Sequence, residues 1–168
     1  MHAMSVLPES LIDAAQAAFI QGGVSISAAS CGARPFPGVC RVLACSVAAD
    51  RRRLTVMVAR SCAHELLADV AHSGRIAVVF SQPSTNRTIQ IKGDSACVGV
   101  PDARLLEAVR THSDAFVDEV ASLGFAAPLV RSLLDFPDDD IVPITFTPTA
   151  AYDQSPGPRA GAPLKAGA

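Results

Sequence analysis

Hydrophobic and polar positions alternate along this chain in two distinct periods, and their changes of period divide it into elements. Leu11, Ile12, Ala15, Ala18 and Phe19 follow a helical spacing after Pro8-Glu9-Ser10, and Gly22-Gly23 closes that segment. Residues 24–29 alternate with a period of two. After a Gly/Pro-rich break at 32–38, a long run of β-branched and small residues occupies 39–49, and residues 54–58 follow the turn Arg51-Arg52-Arg53. The connections are too short for crossover helices, so the pattern predicts three consecutive antiparallel strands.

Ser61 is placed to cap a second helix that carries Glu65 in its first turn and Leu66, Leu67 and Val70 on one face, and that stops at Gly74. Residues 76–80 form a continuous apolar strand, Pro83-Ser84-Thr85-Asn86 is turn chemistry, and 87–100 is a long strand bulged at Gly93. Pro101-Asp102 opens a third helix through Leu105, Leu106, Val109, Phe116, Val117 and Val120, with Gly124 as its stop. Residues 127–136 add a short helical turn. Residues 141–149 supply a last strand, in which Pro143 and Pro148 mark either a sheet edge or the start and end of pairing.

Six strands and three scattered helices do not alternate as βαβ units do. The predicted fold is α+β, mainly β: a six-stranded antiparallel split β-barrel with flanking helices. Residues 1–150 form the one expected domain, and 151–168, rich in Pro and Gly, read as a flexible tail whose composition offers too little apolar surface to offset ordering.

Charge refines this picture. Only 18% of the 168 residues are charged while 49% are hydrophobic, which leaves little to cover a monomer's surface and predicts a buried subunit interface. A net charge of −2 and a pI near 6.0 give no electrostatic footprint for nucleic acid or an anionic membrane. No apolar stretch is long enough for a membrane span, and residues 1–19 carry acidic residues where a signal peptide would be basic, so a soluble, cytoplasmic protein is expected. The five cysteines contain no C-x-x-C pair and sit mostly in apolar runs, which reads as reduced, buried thiols; Cys62-Ala63-His64 has no companion cluster for zinc, and no metal site is expected.

Candidate chemistry gathers in one strand. In Arg87-Thr88-Ile89-Gln90-Ile91-Lys92-Gly93, the period of two sets Ile89 and Ile91 on one face and Thr88, Gln90 and Lys92 on the other. That second face is either an ordinary half-exposed surface or a set of donors for an anionic or planar ligand, since no carboxylate appears before Asp94. Arg41 interrupts a run that is apolar on both faces, so it either meets a carboxylate or points toward an acidic ligand. Arg60 and Ser61 lie where a strand passes into a helix, a place that suits a phosphate, although Ser61 as a cap alone is the favoured reading of the serine.

The succession CRVLACSV, a turn, then RLTVMVARSCAHELLADVAHSGRIAVVFSQPSTNRTIQIKGD resembles the FMN-binding split barrel of the pyridoxamine 5′-phosphate oxidase superfamily over about residues 8–150. The resemblance implies FMN, a homodimer with cofactor sites at the interface, and an FMN-dependent oxidoreductase acting on a small organic substrate. It assigns Arg41, Arg60, Ser61, Arg87, Thr88 and Gln90 to the cofactor; catalytic residues are not assigned. A lysine expected just after the Ser61 loop is absent and His64 stands nearby, which implies weak FMN binding. The chain has no tryptophan and no match to the substrate segment of true pyridoxamine phosphate oxidases. The alternatives are a non-catalytic protein that binds flavin, deazaflavin or haem, and a degenerate split-barrel dimer that binds no cofactor.

Overall fold

The computed structural model describes residues 10–164, so Pro8 and Glu9 at the expected helix start and residues 165–168 of the tail lie outside the described residues. The first helix, α1, is Ala14–Ile20, and it begins later than the apolar spacing suggests because Asp13 caps it: the Asp13 carboxylate accepts from the Gln16 N–H at 2.7 Å and the Gln16 side chain accepts from the Asp13 N–H at 3.0 Å. The strands are β1 (Ser25–Ser30), β2 (Gly38–Val42), β3 (Ala44–Val47), β4 (Leu54–Ala59), β5 (Ile76–Ser81), β6 (Thr88–Val98) and β7 (Ile141–Asp153). The other helices are α2 (His64–Ser73), α3 (Ala103–Ala121) and α4 (Ala127–Ser132), with single 3-10 turns at Arg60–Cys62 and Asp138–Asp140.

All seven strands form one antiparallel sheet in the order β2-β1-β5-β6-β7-β4-β3. The count exceeds the predicted six for a specific reason. The single run across residues 39–49 pairs first with β1 and then with β4, switching at Leu43, whose N–H donates to the Met57 carbonyl at 2.7 Å. One continuous stretch of chain thus supplies both ends of the sheet, and that continuity curls the sheet into a barrel.

Two apolar clusters hold it. Inside the barrel, alternate residues of the strands, including Ile26, Val42, Val56, Val78, Phe80, Ile89, Ile91, Ile144 and Phe146, pack with Ile20 of α1 and Leu66 and Val70 of α2. Outside, Leu43, Ala44, Met57, Ala59 and Ile141 pack beneath α3 and α4 through Leu105, Val109, Val117, Val120 and Val130. α3 starts as predicted, with Asp102 accepting from the Leu105 N–H at 2.8 Å. α2 does not: it follows a 3-10 turn, its N-cap is Ala63 with no side-chain cap, and Ser61 is bonded elsewhere. It ends at Gly74, whose φ of 63° is the left-handed conformation that favours glycine.

The bulge in β6 falls where expected, with register shifts between Lys92 and Gly93 and between Asp94 and Cys97. A Cβ on Gly93 would lie 2.2 Å from the Phe146 ring and 2.6 Å from the Thr147 carbonyl oxygen, so the residue must be glycine for β6 to cross β7 this closely. β7 is not an edge strand: it lies between β6 and β4, and its prolines sit where pairing changes hands. Pro143 precedes the β6 register that begins at Ile144, and Pro148 follows the end of the β4 register at Phe146.

The expected domain limit at residue 150 lies within β7. Beyond it the chain turns back: the Asp153 N–H donates to Ala162, the Gly161 N–H to Asp153 and the Leu164 N–H to Ala151, at 2.9, 2.7 and 2.8 Å. The Arg51-Arg52-Arg53 segment is the hairpin turn predicted, with Arg51 at φ 57°, and the Arg51 Nε donates to the Ile12 carbonyl at 3.0 Å. All five cysteines are free, but only Cys40 and Cys45 are buried; Cys31, Cys62 and Cys97 are exposed, because their runs lie at loops and at the outer face of the bulged strand. Burial pushes the Cys40 thiol up to about 11. Among the described residues, no helix is long and apolar enough to cross a membrane and no group of His, Cys, Asp or Glu is arranged to hold a metal ion.

Candidate functional site

Residues directly opposite in an antiparallel ladder share a face. The registers therefore align two rows across the outside of the barrel. One runs Arg41 (β2), Ser27 (β1), Val79 (β5), Gln90 (β6), Tyr152 (β7), and the next runs Val39, Ala29, Ala77, Lys92, Ala150. A shorter third row holds Ser25, Ser81 and Thr88. Neither outer-cluster helix covers this face: Val39 is 61% exposed, and Arg41 and Lys92 are exposed.

The first row has small side chains, Ser27 and Val79, between Arg41 at one end and Gln90 and Tyr152 at the other, and the second is apolar except for Lys92. Arg41 and Gln90 are three strand spacings apart, roughly 14 Å at about 4.8 Å per strand. Among the described residues, Arg41, Arg60 and Arg87 form no ion pair. The Lys92 ammonium lies 5.3 Å from the centre of the Tyr152 ring, and Gln90 Oε1 is 3.5 Å from Gln154 Nε2. Thr88 shares a 2.8 Å hydrogen bond with the Ser81 hydroxyl, and its N–H donates to the Ser155 hydroxyl at 3.0 Å.

The remaining expected residues are separated from these rows. Arg87 is in the β5–β6 turn, with its guanidinium carbon 4.2 Å from the centre of the Phe19 ring, where cation and π face attract. That turn is tied to α3 by Glu119, which accepts from the Ser84 N–H at 2.9 Å and from Gln82 Nε2 at 3.3 Å; these bonds, those to Ser84 foremost, hold the Glu119 carboxyl below its ordinary range. Arg60 is exposed at the end of β4. Ser61 beside it is already partnered by a carboxylate: its N–H is 2.9 Å from one oxygen of Asp140 and its hydroxyl 2.5 Å from the other. The structure thus joins Arg41, Thr88 and Gln90 on one open face, and places Arg87 at its edge and Arg60 and Ser61 at the barrel's end.

Sequence reasoning did not single out Tyr152 or Arg75. His112 of α3 is only 4% exposed, stacks on Phe116 with ring centres 6.2 Å apart, and has no partner for its Nδ1. Burial drives its pKa down to about 4, the Arg41 charge acts in the same direction, and hydrogen bonding with the Gly22 and Val24 backbone opposes them. A cleft of about 610 Å³ opens at the Lys92 end of the rows, lined by Ala29, Cys31, Arg75, Ala77, Lys92 and Asp94 among others. A second cavity, of about 340 Å³ under α3 and α4, is bridged by ion pairs of Arg110 with Asp138 at 2.8 Å and of Arg131 with Asp114 at 2.7 Å.

A mainly antiparallel barrel closed by one switching strand, with helices on one flank and a donor-rimmed open face on the other, is the split-barrel fold of pyridoxamine 5′-phosphate oxidase-like proteins. Solved structures bear this out. The chain is similar to HupZ of Group A Streptococcus at 11% identity and a TM-score of 0.54, covering 89% of this chain and 99% of that one. It is similar to an F420 reductase at 15% identity and 0.53, covering 80% and 93%. It is also similar to a putative pyridoxamine 5′-phosphate oxidase from Lactobacillus delbrueckii, at 10% identity and 0.50, covering 84% and 93%. No protein-family model matches the chain, and no curated protein matches its sequence.

Proposed function

We propose that the open sheet face binds a flavin-type cofactor, FMN in the first instance, and that the protein is an oxidoreductase acting on a small organic molecule. The observation that carries this reading is the row Arg41–Ser27–Val79–Gln90–Tyr152, in which small side chains form a floor for a planar ring and hydrogen-bonding groups stand at its margins. An F420 reductase and a putative pyridoxamine 5′-phosphate oxidase among the fold neighbours support a flavin-type ligand.

The residues fit the group in part. Gln90 and Thr88 offer donors and acceptors to a heterocycle's polar edge, and Arg41, without an ion-pair partner among the described residues, offers a permanent cation to an acidic tail. Arg60 adds a second exposed cation. Ser61 reaches a phosphate only if Asp140 is displaced. The bound flavin supplies the hydride chemistry, so the protein's part is to hold the ring, satisfy its edge and keep a substrate over it. A second copy of the chain laid on this face would shelter the ring from water, which fits the low charge content.

Titration of the purified protein with FMN, followed by flavin fluorescence, tests the reading. Saturable binding is expected, with Arg41→Ala at least tenfold weaker and Arg53→Ala, a turn residue away from the face, unchanged. Absence of FMN and F420 binding, or equal affinity in Arg41→Ala, would falsify the assignment.

A further inference from the structure

Resting on that reading, we propose that the cleft at the Lys92 end of the open face seats the oxyanion of the substrate, so that the molecule handled there is a small organic carboxylate or phosphate ester. At about 610 Å³ the cleft falls within the range of small-molecule sites. It is continuous with the face, because Ala29, Ala77 and Lys92 line the cleft and belong to the second transverse row. A ligand body lying over Ala29 and Ala77 therefore has its head group at Lys92.

Two cations converge on this cleft, and neither forms an ion pair with a described residue. Lys92 stands at the border, its ammonium near the Tyr152 ring. Arg75 lines the cleft from a backbone fixed at both ends: its N–H donates to the Ser73 hydroxyl at 3.3 Å, and its carbonyl accepts from the Ser30 hydroxyl at 2.6 Å. The preceding Gly74 turns α2 sharply into β5, which sets where Arg75 emerges. Asp94 is the sole carboxylate in the lining, so the cleft carries a net positive charge and leaves a cation for an incoming anion. A guanidinium fork paired with an ammonium point charge is a donor set for carboxylate or phosphate oxygens.

The chain contains one tyrosine and no tryptophan, so tyrosine emission reports the ring beside Lys92 alone. The cofactor-free, full-length protein is titrated with inorganic phosphate and, separately, with butyrate, at ionic strength held constant with chloride. A saturable change in Tyr152 emission is expected for at least one of them, and the two arms show which oxyanion is preferred. Arg75→Ala and Lys92→Gln are each expected to raise Kd at least fivefold, and Asp94→Asn to lower it at least twofold. Arg75→Ala leaves the tyrosine's surroundings intact and so guards against a merely spectroscopic effect of Lys92→Gln. No saturable change with either anion, or an unaltered Kd in both cation variants, overturns the proposal. The FMN titration is separate: anion binding without FMN binding removes the flavin reading and supports the cleft, whereas FMN binding without anion binding removes the cleft alone.

Discussion

Ser61 meets Asp140 with both of its donors, the N–H at 2.9 Å and the hydroxyl at 2.5 Å from the two carboxylate oxygens. A carboxylate held in this way occupies the position an external oxyanion would need, and it repels a phosphate besides. Asp140→Asn is therefore expected to tighten FMN binding at least fivefold while leaving the affinity for riboflavin, which lacks the phosphate, unchanged. Parallel flavin-fluorescence titrations check this, and equal effects on the two ligands would remove Ser61 from the cofactor site.

The close crossing of β6 and β7 makes a second prediction about stability alone. Gly93→Ala drives a methyl group into the Phe146 ring and the Thr147 carbonyl, both part of the packed strand crossing. Overpacking of this kind costs about 1–3 kcal/mol. Each kcal/mol lowers Tm by roughly 2–4 °C in a chain of this size. Thermal unfolding of the variant should show a drop within that range, and an unchanged Tm would mean that the strands separate here at no cost.

Local chemistry was legible in the sequence. The alternation that set Ile89 and Ile91 inward and Thr88, Gln90 and Lys92 outward depends on neighbours two residues apart, and the structure keeps it. Asp102 as a cap and Gly93 as a bulge rest on equally local rules. The partner of Ser61 was not legible, since Asp140 lies 79 residues away and only barrel closure brings them together. The same holds for Arg87, whose sequence neighbours suggest a ligand while α1 provides Phe19. Pro143 and Pro148 fit an edge strand or a strand whose pairing begins and ends at them; the sheet order excludes the first, and the registers carry pairing past both prolines, from Ile141 to Asp153. The transverse rows were invisible for a like reason: a one-dimensional pattern gives the face of each residue, but not which strands lie side by side.

His112 makes a prediction about acid. Its pKa is lowered from 6.5 to about 4 in the folded protein, chiefly by burial, so the unfolded chain binds a proton more readily than the native state throughout that interval. Stability associated with the neutral ring is thus fully present above pH 6.5, declines as the pH falls from 6.5, and is lost by about pH 4. The shift corresponds to a loss of about 3 kcal/mol. His112→Gln, which cannot acquire the charge, should begin less stable at pH 7 because it gives up the stacking on Phe116, yet lose less stability than the parent between pH 6.5 and 4. Urea unfolding at several pH values measures both quantities. Superimposable slopes for parent and variant would show that the imidazole charges without penalty, and hence that α3 does not bury it against the Gly22–Val24 backbone in solution.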